Sequence, residues 1–226
     1  LPPADLDLYQ RLLALYARDE SLHKRLQEGM ATRASLEMDG TSAAEERHPS
    51  LATLGRACGE MLARSPALRG ATLEMGGWDT HNQQIPRLTQ QFRQLDAGLA
   101  ALREGLGDAW RSTVIAVGTE FGRTAAVNGT GGTDHGTASV MFLAGGALAG
   151  GKVLGDWPGL SSAALFEGRD LRPTSDVREW LGGALQLAWG LNEDAVRRGF
   201  PGVTPRPSRA WRAPDRKSTR LNSSHS

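Results

Sequence analysis

Three polar segments of the chain carry the side chains able to do chemistry. The first is Gly76-Gly77-Trp78-Asp79-Thr80-His81. The second is Gly118-Thr119-Glu120-Phe121-Gly122-Arg123-Thr124, and the third runs from Asn128 to Thr137, with Asp134-His135 inside it. Together they supply Asp79, His81, Glu120, Asp134 and His135, with Arg123 close by in sequence. Carboxylates beside neutral imidazoles are a ligand mix for zinc, manganese or iron. Asp79 and His81 have one residue between them. On a strand that spacing puts both side chains on one face; on a turn it lets both converge. Each residue also has a plainer reading. Asp79 and His81 fit an Asx-type turn with a surface histidine, Glu120 fits an ion pair with Arg123, Asp134 fits a turn cap, and His135 fits an ordinary loop histidine. The glycine-rich stretch 128–136 lacks the Gly-Lys-Ser/Thr ending of a phosphate-binding P-loop and precedes an apolar run, which argues against a nucleotide site of that kind.

These loops need elements to position them. Apolar residues at three-to-four spacing predict a helix over 5–35, and the polar stretch 36–49 reads as an exposed loop. Ser50 is placed to cap a helix carrying Leu51, Leu54, Cys58, Met61 and Leu62, stopped by Pro66. Ala71–Met75 is a short strand candidate. A long helix opening near Pro86 follows, with Ile85, Leu88, Phe92, Leu95, Leu99, Leu102 and Leu106 on one face. Ser112–Val117 and Ala138–Leu143 are β-branched, apolar runs of the kind found in strands buried on both faces. Helices are expected again at 175–190 and at about 192–199. Strand, long helix, strand predicts a crossover unit, and with it an α/β fold on a mostly parallel sheet. Working loops in such sheets sit at the carboxyl ends of the strands.

Composition narrows the function. The 226 residues are 39% hydrophobic, enough to fill a core. Lys plus Arg is 26 against 25 Asp plus Glu, which lacks the basic face of a nucleic-acid binder. The single cysteine, Cys58, excludes an intrachain disulfide framework and a thiolate zinc site, and reads as a small buried hydrophobe. No run approaches the roughly 20 apolar residues of a membrane-spanning helix. The organisation expected is one α/β domain over 1–203 with a helical lead-in over 1–49. A proline-rich exit follows at 204–215, and RKSTRLNSSHS at 216–226 reads as an adapter-derived tail outside the fold.

Five segments then matter together: GGWDTHNQQ (76–84), TEFGRT (119–124), NGTGGTDHG (128–136), LAGGALAGGKVLGDWPGL (143–160) and DLRPTSDVREWL (170–181). In order and spacing they resemble the bacterial family catalogued as domain of unknown function 1501, over about residues 50–203. The resemblance implies the alkaline phosphatase-like superfamily of phosphatases and sulfatases, and a chain that is the C-terminal portion of such a protein, truncated at its N-terminus. It implies a metal site in which Asp79 and His81 hold one divalent metal (zinc, manganese or calcium) and His135 returns to it. Glu120 stands where a ligand of a second metal is found, and Phe121 replaces the histidine beside it. Arg123 is placed to steady an anionic ester. The nucleophile is expected upstream of this chain. The function implied is hydrolysis of small phosphate or sulfate esters, in a periplasmic or secreted protein. The alternative is a non-catalytic exported protein that keeps the fold and binds a partner, a glycan or one structural metal.

Overall fold

The computed structural model describes residues 6–38 and 49–206. The elements in chain order are α1 (Leu6–Leu15), α2 (Glu20–Met38), α3 (Leu51–Arg64), α4 (Gln84–Leu106), β1 (Ile115–Val117), β2 (Gly122–Arg123), β3 (His135–Gly136), β4 (Phe142–Ala144), α5 (Val177–Trp189) and α6 (Glu193–Gly199). The tail expected at 216–226, most of the proline-rich exit and most of the 36–49 loop lie outside the described residues. None of the described helices is long and apolar enough to cross a membrane.

The helix expected over 5–35 is two helices. Asp19 breaks it: its backbone is extended (φ −115°, ψ 96°), and its carboxylate accepts the Leu22 N–H at 3.0 Å. A short acidic side chain that can cap the next helix competes with continuing the previous one. The other starts follow their caps. Ser50 Oγ accepts the Thr53 N–H at 3.1 Å and opens α3. Asp176 accepts the Arg178 N–H at 2.9 Å and opens α5, and Asn192 accepts the Ala195 N–H at 2.8 Å and opens α6.

Glycines set how α3 and α4 meet. A Cβ on Gly55 would lie 2.6 Å from the Gly98 carbonyl oxygen, and one on Gly59 would lie 2.5 Å from that of Leu102. The two backbones therefore touch where side chains would normally hold them apart. The register rises on both helices together: Leu51 meets Gly98, Gly55 meets Gly98 and Leu102, and Gly59 meets Leu102 and Gly105. The helices run parallel. Buried Cys58, Ala101 and Leu106 line this seam, while Ala184 and Val196 are buried around α5 and α6.

Parallel helices explain the first departure from expectation. The chain must travel back along α3, about 21 Å at 1.5 Å per residue, and on to a start of α4 that lies well beyond Leu51, since Leu51 meets that helix at Gly98. Residues 71–75 make that return without joining a ladder, so the strand expected there is absent. The sheet differs as well. A mostly parallel sheet flanked by helices, of the alkaline phosphatase-like type, is not what the chain forms. The described residues contain two separate two-stranded antiparallel ladders, β1–β4 and β2–β3. Ile115 pairs with Ala144 and Val117 with Phe142. The segment between β1 and β4 holds no helix, and a parallel partner needs a long crossover connection. The long helix that suggested one lies before β1 and links it to an unpaired segment. Neither strand is buried on both faces: Ala116 and Phe142 are exposed.

Candidate metal centre

The segment leading into α4 is turned by Gly77, whose φ of 90° is open to glycine and costly for other residues. A Cβ there would also run into the Gln91 side chain. Trp78 packs edge-on against Phe92 of α4, with centroids 5.2 Å apart. Thr80 is then buried and its hydroxyl donates to Gln84 Oε1 at 3.1 Å. With Thr80 facing in, its neighbours Asp79 and His81 face out together, as their spacing allows.

The 128–135 loop lies alongside this segment. Gln84 N–H donates to the Gly131 carbonyl at 2.9 Å, and Thr133 N–H donates to that of Thr80 at 3.2 Å. The β2–β3 ladder continues from there, pairing Arg123 with His135 directly across. Residues distant in sequence thus arrive at one spot.

Asp79 Oδ1 lies 3.0 Å from His81 Nε2 and 3.0 Å from His135 Nε2, and the two imidazole nitrogens are 3.3 Å apart. A tetrahedral ion with bonds of about 2.0 Å separates its ligand atoms by about 3.3 Å. The triangle has the dimensions of one face of such a shell. Each of the three side chains is about half exposed, so the opposite side is open to water. Two nitrogens and a carboxylate oxygen are borderline donors of the kind zinc and manganese accept. Calcium prefers six to eight oxygens and fits this set poorly.

A surrounding layer orients the triangle. His81 Nδ1–H donates to Asp134 at 3.1 Å, which leaves the Nε2 lone pair facing the centre. Asn128 Nδ2 donates to the same Asp134 oxygen at 3.1 Å and to the His81 carbonyl at 2.9 Å. Its Oδ1 accepts the N–H groups of Thr130 and Gly132, each at 3.0 Å. Hydrogen bonds from Asn128, then from His81, hold the Asp134 carboxyl below the usual carboxylate range. The Phe121 ring stacks on His135 at 4.1 Å and 22°.

Arg123 is the electrostatic counterpart. Its Nη1 donates to Asp79 Oδ1 at 2.6 Å, its Nε donates to Thr133 Oγ1 at 2.9 Å, and its Nη2 donates to the Thr133 carbonyl. That guanidinium keeps the Asp79 carboxyl below its ordinary range. Arg123 therefore pairs with Asp79, not with Glu120. Glu120 is exposed and is not part of the three-residue cluster. Two residues that carry much of the arrangement were not legible as such. Asp134 read as a turn cap, and Asn128 had no role; the one available signal was the adjacency of Asp134 to His135.

A family model described as a protein of unknown function (DUF1501) matches residues 5–200. No curated protein and no solved structure matches the chain. The family match covers most of the sequence, and the chain belongs to the DUF1501 family.

Proposed function

We propose that this DUF1501 chain holds one divalent cation, zinc or manganese, on Asp79, His81 and His135, and serves the hydrolysis of a phosphate or sulfate ester. The supporting observation is the triangle itself: three donor atoms 3.0–3.3 Å apart, half exposed. Three protein ligands with one open position are the pattern of catalytic sites, whereas structural sites close the shell with four. That difference favours hydrolysis over a structural metal. A bound cation supplies Lewis acidity toward an ester oxygen or a water.

The chain's own groups prepare that position. Asp134 fixes the His81 tautomer and ring plane. Phe121 limits rotation of the His135 ring by covering one face of it. Arg123 keeps Asp79 ionised and aimed, so it acts as a positioning residue. Glu120 lies outside the cluster, and the reading therefore uses one cation.

The test is titration of the full chain with zinc and with manganese by calorimetry, beside His81→Ala and His135→Ala. Each variant is expected to lose at least about 100-fold in affinity, since two ligands cannot replace three. Equal binding by wild type and both variants overturns the ligand set. Turnover of p-nitrophenyl phosphate or p-nitrophenyl sulfate by the loaded wild type, lost in both variants, is expected. No turnover of either, with binding intact, returns the site to a structural role.

A further inference from the structure

Two guanidinium groups bond to residues of the cluster, Arg123 to the Asp79 carboxylate and Arg169 to the His135 backbone carbonyl, and they differ in what they have left to give. Arg123 is only 21% exposed, and all three of its nitrogens already donate, to Asp79 and to Thr133. Arg169 is 63% exposed. Its Nε donates to Asp170 Oδ1 at 2.8 Å, and its Nη2 is shared between Asp170 Oδ2 at 3.4 Å and the His135 carbonyl at 3.3 Å. Its Nη1 has no partner among the described residues. The Nε and Nη2 groups are anchored beside a ligand residue, and Nη1 is left uncommitted.

The anchor is firm. Asp170 is only 7% exposed and also accepts the Thr137 hydroxyl at 2.9 Å. Its backbone pairs with Phe166 in both directions, at 2.9 and 3.0 Å, and the Arg169 carbonyl accepts the Ala125 N–H at 3.0 Å beside β2. The turn between them places both Glu167 (φ 53°) and Gly168 (φ 66°) in the left-handed region. A glutamate there is uncommon and costs energy, which surrounding structure must offset. The strained turn delivers Arg169 to the carbonyl of His135.

We propose that Arg169, rather than Arg123, is the residue that binds the tetrahedral oxyanion head of the substrate, phosphate or sulfate. The inference rests on the metal reading above. The two N–H bonds of Nη1 are uncommitted, a guanidinium N–H makes a charge-assisted bond to an oxygen of such a group, and Nη2 adds a second only by giving up its long bond to the His135 carbonyl. Asp170 neutralises part of the Arg169 charge and at the same time fixes its plane, while the Nη1 amino group keeps both of its hydrogens for the ligand.

The experiment measures binding of inorganic phosphate, and separately of inorganic sulfate, to the zinc-loaded full chain by calorimetry. Wild type is compared with Arg169→Ala and Arg169→Lys. The expected result is a tenfold or larger loss of anion affinity in Arg169→Ala, an intermediate value in Arg169→Lys, and zinc affinity unchanged in both. Arg169→Lys keeps a cation beside buried Asp170, so it reports even if the alanine variant fails to fold. Phosphate held more tightly than sulfate, or the reverse, assigns the ester class. Wild type that takes zinc and binds the anions no better than Arg169→Lys and Arg169→Ala overturns the role of Arg169 alone. Wild type that takes no zinc overturns the metal reading and this one with it.

Discussion

The α3–α4 seam and the metal cluster are built on opposite plans. At the seam two backbones touch through Gly55, Gly59, Gly98 and Gly105, and the contact consists of many small dispersion gains that no single side chain carries. At the cluster almost everything rests on named polar atoms, half exposed, whose contribution to stability is screened by water. The seam gives the molecule its stability and little chemistry. The cluster gives chemistry and little stability. Damage to the two regions should therefore separate cleanly between unfolding and binding measurements.

The largest expected effect is at the seam. Gly59→Leu drives a side chain into the Leu102 carbonyl and the Leu106 amide. Overpacking against backbone should cost about 3 kcal/mol or more in a urea melt, while zinc affinity of the folded fraction stays as in wild type. An unchanged midpoint would mean that the helices do not meet through these glycines. Next comes Asp134→Ala, which removes the acceptor that sets the His81 ring. Zinc affinity should drop roughly 10–100-fold, with the urea midpoint staying close to that of wild type. A large stability loss with intact zinc binding would reverse the contrast.

The smallest effect belongs to a helix cap far from both regions in sequence. Asp176→Ala should cost about 1 kcal/mol by removing the α5 cap. It should also change the acid limb. Arg178 lowers the Asp176 carboxyl from 3.8 to about 2 in the folded chain. A folded value below the unfolded one gives stability that is present above pH 3.8 and is lost as the pH falls toward about 2. Urea midpoints taken across that window should converge for wild type and variant. Parallel curves would mean that the Arg178 pairing does not outlast the unfolded-state interaction.

The same contrast explains what could be read in advance. Capped, periodic segments were legible: Ser50 before α3 and the leucine face of α4 are local signals that the fold respects. Asp79, His81 and His135 were singled out by the family resemblance, since residue type and spacing alone left Glu120 and Asp134 beside them. Sheet direction was not. An apolar run such as Ala138–Leu143 states that it is buried or extended, but its partner is chosen by the connection, and here 118–141 contains no helix to bring it round in parallel. The seam was hidden because a glycine in a helix reads as a weakness until the other helix is known. The carboxylate partner of Arg123 was hidden for a similar reason. The acid nearest Arg123 in sequence is Glu120, yet folding brings Arg123 to Asp79.

The β1–β4 ribbon has a consequence for the molecule among its own copies. It is only two strands wide, and such a ribbon is marginal unless something braces it. Phe142 leans on Phe92 of α4, the helix ring that also receives Trp78, so one aromatic column steadies both the ribbon and the approach to Asp79. Among the described residues no third strand pairs with either edge of the ribbon, and Val140 and part of Phe142 are exposed beside it. Unsaturated main-chain margins flanked by apolar side chains are templates for another strand. A ribbon edge of this kind is open to pairing with a strand of another molecule, and the Phe92 bracing that holds the ribbon flat to α4 is what limits that exposure.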